Sequence, residues 1–148
     1  MDYLRNITVL SLEQATVLPY LTYRMAHDGM QVYRLEHPVY GDPNRLVGDN
    51  VLAEERMNSY YLCINAGKKA LTLNLADPKG REMLYALLKE LDVDIFTTNQ
   101  LPKSYQKLGI DYESMRAVKP DIIWLGATGF GPESNEPAYD PILQAKSG

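Results

Sequence analysis

The chain has 148 residues, 45% of them apolar, and a formal net charge of −4, which suits one globular domain able to bury a core. Cys63 is the only cysteine and the chain has two histidines, which excludes disulfide frameworks and multi-thiolate metal sites, and we expect no metal. The acidic balance, the N-terminus without a leader pattern and the absence of a membrane-length apolar run predict a cytoplasmic protein with no nucleic-acid and no membrane partner.

The first part of the chain predicts two strands, a helix and a long loop. Residues 7–12 are rich in β-branched side chains and predict a buried strand. Pro19 suits the first turn of a helix that runs to about Asp28. Residues 31–36 predict a second strand. The polar stretch over residues 38–58 is too long for a passive connection, and long loops in compact domains are often functional.

Strands and helices alternate through the rest of the chain. Residues 70–75 predict a third strand, and Asp77-Pro78 starts a helix with an N-cap and a proline at the first helical position. The leucines of that helix follow a helical period and predict a core-facing stripe. The further predicted elements are a strand over residues 93–97, a short helix over 102–108, a helix capped by Asp111 through 118, a strand over 122–125 and a helix from Asp140.

This alternation predicts an α/β domain with a largely parallel sheet. In such sheets, ligands bind beyond the carboxyl ends of the strands. The loops expected to carry function therefore start at Glu13, Glu36, Ala76, Thr98 and Gly126.

The simplest motifs offer little chemistry. Residues 13–18, between the first strand and helix, contain no glycine, so the dinucleotide fingerprint is absent. Cys63 lies among apolar residues and is expected to pack. Lys68 and Lys69 are expected to be a solvated pair rather than a phosphate site. Asp140 either caps the last helix, which the spacing favours, or faces a pocket beyond the strand ends.

Five segments, taken in order, carry a resemblance to a known family. Residues 9–12 read V-L-S-L, where the family has V-L-D-L, and residues 28–38 read D-G-M-Q-V-Y-R-L-E-H-P, against L-G-A-D-V-I-K-V-E-R-P. Residues 65–80 read N-A-G-K-K-A-L-T-L-N-L-A-D-P-K-G, against N-R-G-K-R-S-I-x-L-D-L-x-x-P-x-G. Residues 94–103 echo D-V-x-x-x-N-F-R-P-G, and residues 139–148 match Y-D-x-x-x-Q-A-x-S-G. In this joint order the chain resembles the class III CoA-transferases.

The resemblance implies a Rossmann-like, mostly parallel sheet flanked by helices, with residues 1–148 forming the N-terminal CoA-binding part of the family's large domain. Family members move coenzyme A from an acyl-CoA thioester to a small carboxylic acid through an aspartyl-CoA intermediate. They hold no tightly bound cofactor, since coenzyme A is a substrate, and complete members are interlocked homodimers. The nucleophilic aspartate lies beyond Gly148 in the family pattern. We therefore expect a truncated piece, inactive alone, without the second small domain and the C-terminal return.

Site residues follow from the resemblance position by position. It assigns coenzyme A contacts to Thr16, Val17, His37, Leu73, Asn74, Leu75, Ala76, Asn99, Gln100, Leu101, Lys107 and Tyr139. It makes Asp140 a second active-site carboxylate, distinct from the nucleophile, which replaces the capping interpretation.

At three positions where the family has arginine, this chain has His37, Ala66 and Leu101. Lys107 keeps a positive charge but loses the bidentate geometry of arginine. Tyr139 stands where the 2-methylacyl-CoA racemase branch has an acid/base histidine, which favours the transferase over such an isomerase. The lost arginines motivate another alternative, a non-catalytic CoA-binding or scaffolding subunit of a heteromeric transferase.

Overall fold

A computed structural model describes residues 3–148; Met1 and Asp2, which begin the segment without a leader pattern, lie outside the described residues. Within residues 3–148, five strands form one sheet in which every neighbouring pair is parallel. The strands are β1 (Thr8–Leu12), β2 (Gln31–Glu36), β3 (Lys69–Thr72), β4 (Ile95–Thr98) and β5 (Ile123–Gly126). The helices over the same range are α1 (Val17–His27), α2 (Ser59–Cys63), α3 (Pro78–Glu90), α4 (Tyr105–Leu108), α5 (Tyr112–Val118) and α6 (Asp140–Ser147). The expected α/β class and parallel sheet are confirmed.

The strand order is β3-β2-β1-β4-β5. The chain first builds outward from β1 through β2 to β3, and then crosses to the other side of β1 to form β4. This reversal makes a switch point between β1 and β4, where the loops that leave the two strands diverge and open a crevice. The candidate site is therefore expected at the carboxyl ends of β1 and β4.

The apolar core lies between the sheet and helices α3 and α5. Leu10 and Phe96 from the sheet pack with Leu84 and Leu88 from α3 and with Met115 from α5, all with 0% exposure. Each such side chain contributes roughly 1.5–3 kcal/mol of transfer free energy. Residues that alternate with these in the strands point to the opposite face, where α1 contacts β2.

Three predicted helix ends are confirmed. The side chain of Asp77 accepts a hydrogen bond from the Lys79 N–H and caps α3, while the side chain of Asp111 accepts one from the Ser114 N–H and caps α5. The helix predicted over residues 102–108 also ends where expected, since Gly109 ends α4 with a φ of +67°, a conformation that glycine adopts without the Cβ penalty.

Three local expectations need correction. Strand β3 ends at Thr72 instead of residue 75, because Asn74 forms a turn in which its side chain accepts from the Ala76 N–H (3.1 Å). Helix α2 was not predicted. Cys63, its last residue, is exposed and does not pack in the core. Among residues 3–148, the structure shows no helix with the length and apolar character needed to cross a bilayer.

Candidate functional site

The turn between β1 and α1 lies at the switch point, and one side chain joins it to the exit of β4. The side chain of Asn99 accepts from the Gln14 N–H (3.1 Å) and donates to the Gln14 carbonyl (2.8 Å). Asn99 thus fixes the turn and keeps one amide hydrogen for a ligand. Thr16, the N-cap of α1, and Val17 are exposed, and the Thr16 Oγ1 lies 3.2 Å from the Tyr60 hydroxyl.

Ala15 gives this turn its shape without a glycine. Its φ is +63°, a left-handed conformation that costs a non-glycine residue about 1–3 kcal/mol and persists only where the surroundings hold it. Here the Asp42 carboxylate accepts from the Ala15 N–H (3.3 Å), and the Asn44 side chain donates to the Ala15 carbonyl (2.6 Å). Side chains from the loop after β2 therefore hold the turn that glycines shape in dinucleotide-binding folds.

A charge cluster lies beside this turn and consists of Glu13, Arg34, Glu36, Asp42, Arg45 and Lys68. The Arg34 side chain, 1% exposed, lies at its centre. Its Nε is 3.2 Å from the Glu13 carboxylate without hydrogen-bond geometry, its Nη1 donates to Glu36 (2.8 Å), and its Nη2 donates to Asp42. The three positive and three negative charges balance, which matters because an unpaired buried charge costs several kcal/mol.

Lys68 belongs to this cluster, so its expected place in a solvated pair is wrong. Its side chain is 2% exposed, and its Nζ donates to Glu13 (2.7 Å), to the Pro19 carbonyl (2.7 Å) and to Asn65 (2.8 Å). Burial lowers the pKa of Lys68 to about 8, although the Glu13 carboxylate acts to raise it. Lys69 is exposed, as expected.

The second half of the cluster keeps Glu36 ionised. Burial acts to raise the pKa of Glu36, but hydrogen bonds from Arg45 and the charge of Arg34 hold it below its ordinary value. Arg45 donates to both Glu36 carboxylate oxygens (2.7 and 2.8 Å) and lies 3.9 Å above the Tyr61 ring. Burial raises the pKa of Tyr61, whose hydroxyl also donates to Glu36 (3.0 Å).

His37 follows β2 directly and faces a cavity of about 240 Å³. Its Nδ1 accepts from the N–H groups of Val39 (3.1 Å) and Tyr40 (3.3 Å). In the neutral ring the proton therefore lies on Nε2, which is a donor. The cavity is lined by Glu36, His37, Pro38, Gly41, Arg45, Glu55, Arg56 and Thr72.

The exit of β3 lies beside the exit of β2. Leu73 donates its N–H to the Glu36 carbonyl (3.0 Å), which brings this predicted contact next to His37. Asn74 and Ala76 are exposed. Leu75, in contrast, is buried in the core with 5% exposure, so its side chain supports the fold and only its backbone is left for a ligand.

The remaining predicted contacts lie toward β5. Gln100 and Leu101 are half-buried after β4, and Lys107 is exposed on α4. Tyr139, 60% exposed, is the N-cap position of α6. Asp140 is the first residue of α6 and accepts from Gln144 (2.6 Å) within that helix.

Helix α6 has no side-chain capping bond, so the capping interpretation of Asp140 is not supported. A separate cavity of about 370 Å³ lies between α6 and the Gly129-Phe130 loop. The structure thus brings the β1, β2, β3 and β4 exits together at one edge of the sheet, while the hydrogen bond of Asp140 stays within its own helix. Within residues 3–148, no three His, Cys, Asp or Glu side chains are grouped as metal ligands would be.

The sequence interpretation missed the charge cluster, although β2 carries a signal for it. Arg34 and Glu36 alternate with apolar residues in a strand that lies between two other strands. In a sheet covered on both faces, charged side chains at i and i+2 share one face and must find partners. That pattern predicts buried ion pairs beside β2, but it does not identify Glu13 or Lys68 as the partners.

Comparisons with known proteins extend this picture. The sequence pattern of CoA-transferase family III matches residues 4–148. The human succinyl-CoA:glutarate CoA-transferase is 32% identical over 150 residues, which cover 98% of this chain and 33% of that protein. The succinyl-CoA:mesaconate CoA-transferase of Haloarcula marismortui is 33% identical over 159 residues, covering 100% of this chain and 39% of that protein.

A solved structure agrees with the sequence relatives. A CaiB/BaiF family protein from Brucella suis superimposes with a TM-score of 0.86 at 29% identity, covering 97% of this chain and 39% of that chain. The chain thus spans between 33% and 39% of the length of these relatives. The match over residues 4–148 shows that the chain belongs to CoA-transferase family III.

Proposed function

We propose that the protein transfers coenzyme A between an acyl-CoA thioester and a carboxylic acid, and that this chain supplies the coenzyme-binding edge. The family match over residues 4–148 carries the proposal. The convergence of four strand exits at one edge of a parallel sheet supports it, because ligands of such sheets bind there. Succinyl-CoA with glutarate or mesaconate, the substrates in the names of two relatives, are the first pairs to test.

The proposed chemistry proceeds through covalent catalysis by a carboxylate. An aspartate beyond Gly148 attacks the thioester carbonyl, and the CoA thiolate leaves to give a mixed anhydride. The thiolate then attacks the aspartyl carbonyl of the anhydride, which releases the first carboxylic acid and leaves aspartyl-CoA. The acceptor carboxylate attacks this thioester and expels the CoA thiolate, which gives a second mixed anhydride. The thiolate then attacks the acceptor acyl carbon of that anhydride, which forms the new acyl-CoA and frees the aspartate carboxylate.

In this proposal the residues of the chain bind and orient the substrate. The coenzyme is held along the carboxyl edge by Thr16, Val17, His37, Leu73, Asn74, Leu75, Ala76, Asn99, Gln100, Leu101, Lys107 and Tyr139. Asp140 is the second carboxylate of the site. The full-length protein is a cytoplasmic, interlocked homodimer with no tightly bound cofactor, and the 148-residue piece alone is inactive.

Calorimetric titration of the full-length protein with coenzyme A tests whether the protein binds the proposed substrate. We expect saturable binding, and the absence of heat at millimolar coenzyme would refute an active member of the family. Transfer from succinyl-CoA to glutarate or mesaconate is then measured by chromatography of the CoA thioesters.

The role of Asp140 is tested by Asp140→Asn in the full-length protein. A positioned acid/base carboxylate contributes about 10²-fold or more, so we expect turnover to fall by about that factor with an unchanged melting temperature. Glu133→Gln, an exposed carboxylate of the same connection, is the matched control and should leave turnover unchanged. Equal turnover of Asp140→Asn and the wild type would remove Asp140 from the site.

Two alternatives have their own outcomes. A racemase-type isomerase would exchange the acyl α-proton for deuterium in D₂O, and Tyr139 in place of the acid/base histidine argues against it. A non-catalytic subunit, favoured by the arginine positions now occupied by His37, Ala66 and Leu101, would co-purify with a second family chain and lack activity as a homomer.

A further inference from the structure

Lys68 joins the two ends of the β1–α1 turn. Its ammonium group donates to the Glu13 carboxylate before the turn and to the Pro19 carbonyl in the first turn of α1. The third bond goes to Asn65, two residues after α2. An ammonium group has three donors, and all three are used within 2.8 Å.

The segment between these two anchors contains the strained Ala15 and the exposed pair Thr16 and Val17. Glu13 is itself held by hydroxyl donors from Ser11 (2.7 Å) and Thr22 (2.6 Å), so the carboxylate is a fixed point. With both ends fixed, the left-handed backbone between them cannot relax by moving α1 away from β1. The Thr22 bond already ties α1 to the exit of β1, and Lys68 adds a second tie at Pro19, nearer to the turn.

We propose that Lys68 is a positioning residue for coenzyme binding, which clamps both ends of the β1–α1 turn so that Thr16 and Val17 are held at the switch point. This role rests on the proposed function, because it presumes that the turn contacts coenzyme A. Lys68 acts through the turn and does not touch the substrate.

The clamp is pH-dependent. The charged groups facing Lys68 are Glu13 at the end of β1, Arg34 in β2 and Asp42 in the loop after β2. A neutral amine has two donors for three acceptors and no longer forms an ion pair with Glu13, so deprotonation weakens the tie between Lys68 and the turn. With a pKa of about 8, Lys68 is about 90% protonated at pH 7 and about 10% protonated at pH 9. If only the charged form presents the turn, the apparent affinity for coenzyme A falls about tenfold over that range.

The test compares two variants of the full-length protein, Lys68→Met and the control Lys69→Met, which changes the exposed neighbouring lysine. Hydrogen exchange is followed at the amides of residues 14–16, with Leu10 and Phe96 in the core as references. Coenzyme A affinity is measured by calorimetry at pH 7 and pH 9. We expect Lys68→Met to exchange at least about tenfold faster in the turn but not in the core, and to bind coenzyme about tenfold more weakly at pH 7. At pH 9 its affinity and that of the wild type should converge, because methionine does not titrate, whereas Lys69→Met should follow the wild type throughout.

Unchanged turn exchange in Lys68→Met, or equal affinity at pH 7, would overturn the clamp. If Lys68→Met does not fold, the wild type alone decides: protection of residues 14–16 must fall about tenfold from pH 7 to pH 9, relative to the core. If the wild type and Lys69→Met both fail to bind coenzyme A, the proposed function is refuted. The hydrogen-exchange data then still test the clamp.

Discussion

Gly80 in α3 lies against the backbone of Asn74 beside the candidate site, and its substitution tests this close approach. An ideal Cβ at this buried glycine would lie 2.0 Å from the Asn74 carbonyl oxygen, where separations below 3.0 Å are essentially never found. Gly80→Ala therefore requires a displacement of about 1 Å or more between α3 and residues 73–76. Helix propensity alone predicts the opposite result, since alanine stabilises a helix by about 1 kcal/mol over glycine.

We expect the steric clash to outweigh the gain in helix propensity, because neither the Asn74 carbonyl nor α3 can move freely. The Asn74 carbonyl accepts the N–H of Asp77 (3.1 Å), the N-cap of α3. On the other side, Leu84 and Leu88 hold α3 in the core with 0% exposure. Overpacking of this kind costs about 3 kcal/mol, which leaves a net loss of about 2 kcal/mol after the propensity gain. For a domain of about 150 residues this loss lowers the melting temperature by about 4–8 °C, and in a longer chain the shift is smaller.

Urea and thermal unfolding of the full-length protein measure the loss of stability in Gly80→Ala. Ala86→Gly, at an exposed position of the same helix, isolates propensity and should cost about 1 kcal/mol. A Gly80→Ala protein that is as stable as the wild type, or more stable, would refute the steric argument. Because residues 73–76 are predicted coenzyme contacts, we also expect weaker coenzyme A binding in Gly80→Ala and unchanged binding in Ala86→Gly.

Two further predictions concern affinity and pH. His37→Arg restores a family guanidinium and should tighten coenzyme A binding about tenfold, the worth of one charge-assisted hydrogen bond; unchanged affinity in calorimetry would place the phosphates elsewhere. Asp111→Ala removes the cap of α5 and should cost about 1 kcal/mol in urea unfolding. Although burial acts to raise it, hydrogen bonds from Ser114 hold the pKa of Asp111 below its ordinary 3.8. The cap should therefore contribute fully above about pH 4 and be lost as the pH falls further; an Asp111→Ala deficit that is equal at pH 3 and pH 7 would contradict this.

Structural features that depend on residues adjacent in the sequence were predictable. Asp77-Pro78 and Asp111 cap helices because a short acidic side chain reaches N–H groups two or three residues later, a contact that the local sequence determines. The parallel sheet followed from the alternation of strands and helices. The family motifs then placed the predicted contacts, and the structure locates most of them at the carboxyl edge.

Features that depend on distant partners were not predictable. Lys68 looks solvated beside Lys69, but Glu13 lies 55 positions earlier in the chain and draws it into the cluster. Helix α2 has an aromatic and apolar sequence that local propensity does not assign to a helix. It is stabilised by tertiary contacts, in which the Tyr61 hydroxyl donates to Glu36. Cys63, at its end, is exposed.

The charge cluster also explains how β2 keeps its register. Arg34 pairs with Ser11 in β1 and with Ala70 in β3, and its side chain reaches Glu36 and Asp42. A slip of one residue would turn Arg34 and Glu36 to the opposite face of the sheet, among the leucines of α3. Two buried charges would then lack partners at a cost of several kcal/mol each, whereas an apolar strand would lose far less. The charges that hold the β1–α1 turn thus also favour the one strand alignment in which that turn reaches the switch point.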